Sequence, residues 1–295
     1  MNIGLIDVDS KMPNLALMQI SAYHKQKGDC VQWFSPLFSP FDLTYASKVF
    51  TFTPDYRYHP KGVIKGGTGY QNIEREHGYQ ICPDYDLYEM NYSLGFLTRG
   101  CSRNCSWCIV PKKEGDIRAN SDINDFLRHD QAILMDNNVL AHDHGITQIE
   151  KIARLGIKVD FNQGLDARLI NIGIAKRLAA VKWLRPIRLA CDTQAAQKPV
   201  AKAVQLLRKA GATPRRYFCY LLVKDVNEAH DRSEFLRALG VDPFAQPYRD
   251  FHNKTKPTQE QKDFTRWVNH KAIWKTVKWE DYVYGLYQTR KQMRK

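Results

Sequence analysis

Ile3, Leu5, Ile6 and Val8 fall in a short apolar run that ends in acids, IGLIDVD, and this pattern predicts a strand over 3–9. Pro13 and Asn14 then open LALMQISAYHKQK, in which Leu15, Met18 and Ala22 recur at helical spacing until Gly28 closes the segment. VQWFSP (31–36), KVFTFT (48–53) and GVIK (62–65) read as further strands. A strand, a helix and three more strands imply a small open α/β layer. The aromatic and charged stretch PDYRYHPK (54–61) reads as an irregular connection.

From Ser93 the alternation becomes regular. Strand patterns stand at 93–98, 132–136, 157–161, 187–191 and 216–223, with a short last segment at 241–244. Helical patterns stand between them at 146–156, 171–182, 199–211 and 228–240. Parallel strands need crossovers of this kind. The stretch is too short for the ~200–250 residues of a closed eight-unit barrel, so the pattern predicts a partial (β/α)6 barrel. The expected organisation is a small Rossmann-like α/β domain over 1–90, the partial barrel over 91–250 and a mainly helical C-terminal segment over 251–295.

Composition adds constraints. The 295 residues are 43% hydrophobic and 25% charged, which excludes a disordered chain. No run of 18 apolar residues exists, and the N-terminus lacks a basic segment followed by an apolar one. The expectation is a cytoplasmic protein with no membrane partner. Lys and Arg number 44 against 31 Asp and Glu, a net charge of +13. Residues 252–295 carry 11 Lys and Arg against 4 Asp and Glu, with Trp267, Trp274, Trp279, Tyr282, Tyr284 and Tyr287 interleaved. Cations beside rings suit nucleic acid, since the charges neutralise phosphates while rings stack on bases. Phe264, Trp267, Val268 and Trp274 also share a helical face, which suits a structural lid. Both readings stay open in the sequence.

Seven cysteines remain: Cys30, Cys82, Cys101, Cys105, Cys108, Cys191 and Cys219. An odd count without an export signal argues against a disulfide framework. Cys101, Cys105 and Cys108 form C-x3-C-x2-C on one loop, and three thiolates so spaced can converge on zinc or an iron–sulfur centre. A structural zinc site wants a fourth ligand, for which His129, His142 and His144 are candidates. That alternative makes the chain a non-catalytic nucleic-acid-binding module. Cys191 and Cys219 sit among apolar strand neighbours and read as core.

C-x3-C-x-aromatic-C just after the first strand of a repeating β/α segment resembles the radical S-adenosylmethionine superfamily, with Trp107 at the aromatic position. The resemblance covers about residues 91–250. It implies a 4Fe-4S cluster held by Cys101, Cys105 and Cys108, and S-adenosylmethionine on the remaining iron. Reductive cleavage of that cofactor yields a radical that takes hydrogen from a substrate. It also implies an electron donor such as flavodoxin or ferredoxin.

Other positions follow the resemblance one by one. Asp136, Asn137 and Asn138 stand where the family has a Gly-Gly-Glu-like turn, whose backbone carbonyls take the cofactor's amino group. After the third barrel strand, Arg168 could pair with its carboxylate, and Asn162 or Gln163 could reach its ribose; the alternative is a helix-capping network. Asp192, after the fourth strand, carries the same two readings. The family's fifth-strand glycines are absent from Tyr220–Glu228, which keeps Glu228 and an apolar frame where adenine could lie on the Leu222–Val223 backbone. The first 90 residues look similar to the reduced α/β domain of cobalamin-type and methylthio-transferring members. The missing Asp-x-His-x-x-Gly signature argues against cobalamin, and His24 reads as a surface residue. Gly66, Gly67, Thr68 and Gly69 could face a phosphate or simply close a loop.

Overall fold

The computed structural model describes residues 1–37, 40–70, 81–212, 217–250 and 255–282. Position 216 of the strand expected over 216–223, and the tail residues Tyr284 and Tyr287, lie outside the described residues. The chain opens with strand β1 (Asn2–Asp7), helix α1 (Leu15–Gln26) and strands β2 (Cys30–Trp33), β3 (Leu43–Ser47) and β4 (Ile64–Gly66). Strands β5 (Ser93–Gly95) and β6 (Thr98–Arg99), helix α2 (Val110–Glu114) and strand β7 (Arg118–Ala119) follow. Next come α3 (Ile123–Phe126), β8 (Gln131–Leu134), α4 (Asp143–Leu155), β9 (Lys158–Phe161), α5 (Ile172–Ala179) and β10 (Lys182–Trp183). The last elements are β11 (Arg188–Ala190), α6 (Gln197–Lys209), β12 (Tyr217–Val223), α7 (Val226–Ala238), β13 (Val241–Pro247), α8 (Gln259–Asn269) and α9 (Lys271–Thr276). The fold is mixed α/β with parallel sheets.

The chain divides into two compact units, Met1–Leu97 with Asn120–Met135, and Thr98–Ala119 with Asp136–Lys295. In the first, β2, β1, β3 and β4 lie in that order as a parallel sheet. Asn14 caps α1 by accepting a hydrogen bond from the Leu17 amide, which frees the helix to bury Leu17 and Met18. Ile3, Leu5, Leu17, Ile20 and Tyr45 form the core on that side of the sheet. His24 is not on the surface: it is buried, with Nδ1 2.7 Å from Asp29 and Nε2 3.1 Å from the Tyr45 hydroxyl. A polar ring that finds two partners is tolerated in a core. In the same unit β5 pairs in parallel with β8.

KVFTFT is not a strand. The ladder uses Leu43–Ser47 instead, paired with Ile3–Asp7. Both oxygens of Asp9 take the amides of Val49 and Phe50, which withdraws those donors from any sheet. The glycine-rich turn after β4 also has a structural account. A Cβ at Gly67 or Gly69 would collide with Lys48, so these glycines let the turn close over that residue.

In the second unit β9 pairs with β10 and β11–β12–β13 form a sheet, all parallel, while β6 and β7 make a small antiparallel ribbon. Along β12, Tyr217, Cys219, Leu221 and Val223 are buried while Phe218, Tyr220 and Leu222 are half-buried. That period of two places Cys219 in the core, where Cys191 also lies. Burial pushes the Cys191 thiol up to about 11. A capping box between Thr258 and Gln261 starts α8, which buries Phe264, Trp267 and Val268.

Candidate functional site

The cysteine loop hangs between the two strands of the β6–β7 ribbon. Gly100 opens it at φ +80°, and a Cβ there would collide with the carbonyl of Asp116. Only glycine meets both demands. Glu114, at the end of α2, holds this entrance. It accepts the Gly100 amide at 3.0 Å and pairs with Arg99 at 3.0 Å. It also accepts the Asn137 side-chain amide at 2.9 Å. The turn after β8 is thereby tied to the start of the loop.

Within the loop, amides point at sulfur. The Arg103 amide lies 3.4 Å from Cys101 Sγ and the Val110 amide 3.5 Å from Cys108 Sγ. Asn138 Nδ2 lies 3.5 Å from Cys101 Sγ. Asn138 is 3% exposed, and its buried Oδ1 has no donor among the described residues. Such an acceptor is costly unless a ligand supplies the hydrogen. Burial raises the Cys105 and Cys108 thiols, and the neighbouring Cys101 and Asp192 add to it. Among the described residues no group of three or more His, Cys, Asp or Glu converges in a metal-ligating arrangement.

The structure brings several expected residues to this loop. Asp136 accepts both the amide and the hydroxyl of Thr98, at 2.5 and 2.7 Å, and so anchors the turn rather than facing outward. Arg168 pairs with Asp166 at 2.7 Å, and the same carboxylate takes Arg103 of the loop at 3.0 Å. Although burial pushes Asp166 up, these guanidinium bonds outweigh it and hold the carboxyl below its usual range. Asp192 accepts the Leu222 amide at 3.0 Å, and burial raises its carboxyl. Trp107 is half-buried under the Lys224 amine, which lies 4.5 Å from its ring centre.

Others stand apart. Gln163 is exposed, and the Asn162 carbonyl accepts the Tyr220 hydroxyl at 2.7 Å. The strand end at 222–223 is occupied by protein partners. Leu222 gives its amide to Asp192 and its carbonyl to Arg232, and the Val223 carbonyl takes the Tyr248 amide at 2.9 Å. Glu228 accepts the Gln194 amide at 3.3 Å, joining α7 to the turn before α6.

Three residues that frame this region escape a sequence reading. Glu114 has only its acidic character as a signal. Lys224 follows β12 and lies between the rings of Trp107 and Tyr248, 4.5 and 4.6 Å away. Arg232, 1% exposed on α7, donates to the carbonyls of Cys191 and Leu222 at 2.7 and 2.9 Å. It fixes the ends of β11 and β12, on which Asp192 depends.

Among the described residues no helix is long and apolar enough to cross a membrane. No family model matches the chain, and no curated protein matches it. Among solved structures the chain is similar to the crystal structure of Streptococcus suis SuiB bound to S-adenosylmethionine, with 12% sequence identity and a TM-score of 0.44. That likeness covers 63% of this chain and 49% of SuiB, so the chain spans about half the length of the structure it resembles.

Proposed function

We propose that the protein is a cytoplasmic radical S-adenosylmethionine enzyme, with a small α/β domain over 1–90, a partial (β/α)6 barrel over 91–250 and a basic segment over 251–295. One observation carries this reading: of three thiols on one loop, those of Cys101 and Cys108 receive amide hydrogens, and beside the first lies a buried acceptor, Asn138 Oδ1, with no donor among the described residues. Thiolates select a soft iron–sulfur centre, and amide donors stabilise sulfur that carries negative charge. In donor chemistry, though not in convergence, the residues present fit the group. Cys101, Cys105 and Cys108 would hold it. When bound, a 4Fe-4S cluster supplies the electron that cleaves S-adenosylmethionine and so starts hydrogen abstraction from the substrate, with flavodoxin or ferredoxin as electron donor.

The chain's own residues do the rest. Asn138 Oδ1 offers an acceptor to the amino group of S-adenosylmethionine. Arg168, half-exposed and steered by Asp166, offers a cation to its carboxylate. Glu114 and Asp136 hold the loop and the neighbouring turn in fixed positions. The net charge of +13 favours a nucleic acid or nucleotide as substrate.

Anaerobic reconstitution with iron and sulfide tests the proposal. The protein is expected to turn brown, to carry iron and sulfide in the ratio of a 4Fe-4S cluster and to convert S-adenosylmethionine to 5′-deoxyadenosine under reduction. Cys101→Ala, Cys105→Ala and Cys108→Ala should each lose the cluster, while Cys191→Ala keeps it. A colourless protein that retains zinc, or equal loss in Cys191→Ala, overturns the proposal.

A further inference from the structure

Parallel sheets are ordinarily covered on both faces. In the sheet β11–β12–β13 one face is closed by buried Tyr217, Cys219, Leu221 and Val223 of β12 with Val241, Pro243 and Ala245 of β13. The opposite face is closed only in part by the described residues: Arg188 of β11 is buried there and lies 5.9 Å over the Phe218 ring, and the turn at Asn162 meets Tyr220. Phe218, Tyr220 and Leu222 on β12 are only half-buried, and Phe244 and Gln246 on β13 are exposed. In the register Tyr220 stands opposite Phe244, and Leu222 opposite Gln246.

The rings on this face have a definite arrangement. Phe218 and Phe244 have ring centres 5.4 Å apart and planes tilted by 30°. Tyr220 stands edge-on to both, at 5.2 and 6.2 Å. Its hydroxyl is fixed on the Asn162 carbonyl, which holds the ring in place. Two adjacent strands thus present immobilised rings on a partly open sheet face, with Phe244 the more exposed of the pair. Single-stranded bases stack on surfaces of this kind, because every base has an apolar face and an unpaired strand can splay it outward.

Charge points the same way. The acids here are already matched, Asp160 by Arg188 and Asp242 by Lys271 at 2.5 Å. Arg185 and Arg188 both act electrostatically on Tyr220, and the Arg185 side chain is 56% exposed. At the other end of β12 the exposed Lys224 amine rests on two rings and acts electrostatically on Asp192. A strand crossing the face would find cations beyond both ends of the ring cluster. The basic tail is the poorer candidate, since Trp267 and Trp274 are 0% and 2% exposed and cannot stack on a ligand.

We infer that the partly open face of β11–β12–β13 binds single-stranded nucleic acid, with bases on Phe218 and Phe244, and that this strand is the enzyme's substrate. The second half rests on the radical-enzyme reading; the binding does not.

The test uses the full chain, without added iron, and a short fluorescein-labelled single-stranded RNA of mixed sequence, followed by anisotropy. The wild-type protein is expected to bind the strand, to lose affinity steeply with salt, and to bind a duplex of the same sequence more weakly. Phe244→Ala, at an exposed position, should weaken binding about tenfold. Phe218→Leu, which keeps an apolar side chain at its half-buried site, should do the same. Lys224→Gln should lower the salt dependence. Because the assay contains no added iron, failure of the cluster chemistry and failure of strand binding are separate results. No binding at low salt, equal binding of duplex and single strand, or unchanged affinity in both Phe244→Ala and Phe218→Leu overturns the inference. So does loss of affinity on replacing Lys262, Lys275 and Lys278 of the tail with Gln while Phe244→Ala binds normally.

Discussion

Gly100 shows how much one backbone angle decides. Its φ of +80° admits other residues only with strain, and its missing Cβ admits the Asp116 carbonyl. Gly100→Ala is therefore expected to destabilise by about 2 kcal/mol or more, measured by urea unfolding. The same substitution at Gly211, also at positive φ but with no described atom within 4 Å of the added Cβ, should cost about 1 kcal/mol. Asp166 gives a pH prediction. Its carboxyl is held below the usual range by Arg168 and Arg103, so the unfolded chain binds its proton more readily than the folded one. The resulting stabilisation is complete above the ordinary aspartate range of about 4 and fades as pH falls through the lowered value. The gap in melting temperature between the wild type and Asp166→Asn should accordingly be largest near neutral pH and narrow in acid. At this scale the thiol spacing was legible, since it is local. The tie between Asn138 and Cys101 spans 37 positions, and that between Gly100 and Glu114 spans 14, so neither leaves a trace in a short window.

Elements are held by pairs that join them. Asp160 on β9 is 1% exposed and meets Arg188 on β11, with Arg185 3.8 Å away. Burial lowers the Arg188 guanidinium, so the pair is held in a poorly solvated place. Removing one partner strands the other, and Arg188→Met alone should cost about 3–5 kcal/mol. The double variant Asp160→Leu with Arg188→Met should cost clearly less than the sum of the two single changes, in a thermal or urea double-mutant cycle. Helical periodicity found α4 and α6, because their apolar faces repeat every three to four residues over 13 residues. Strand periodicity misled at KVFTFT. Val49 and Phe52 are 39% and 57% exposed there, and side-chain capping by Asp9 displaced the ladder to Leu43–Ser47. Alternation over so few residues does not say which neighbour takes the backbone hydrogens.

At the scale of the second unit, the C-terminal helices are part of the core. Phe264 and Trp267 are fully buried, and Trp267 and His230 of α7 have ring centres 5.8 Å apart. Arg237 of α7 lies 4.3 Å over the Trp274 ring, and Asn269 of α8 bonds Ala245 of β13 in both directions. Truncation after Asp250 would uncover this apolar surface, and the expected result is an aggregating protein by size-exclusion chromatography. A soluble monomer with an unchanged unfolding transition would refute that assignment.

The sequence alone determined the α/β class, the cysteine loop and the apolar face of α8, because each rests on spacing between residues that are near neighbours in the chain. It left the tail open between lid and nucleic-acid arm, since one aromatic face serves either purpose until its surroundings are known. Tertiary structure decided that Trp267 and Trp274 are buried and that Phe218 and Phe244 remain accessible. It also decided that the strand end at 222–223 is filled by Asp192, Arg232 and Tyr248. Hydrophobic patterning ranks side chains by their preference for water. Which of them meets water, and which buried acceptor is left without a donor, is fixed by the elements that pack beside it, and those arrive from distant parts of the chain.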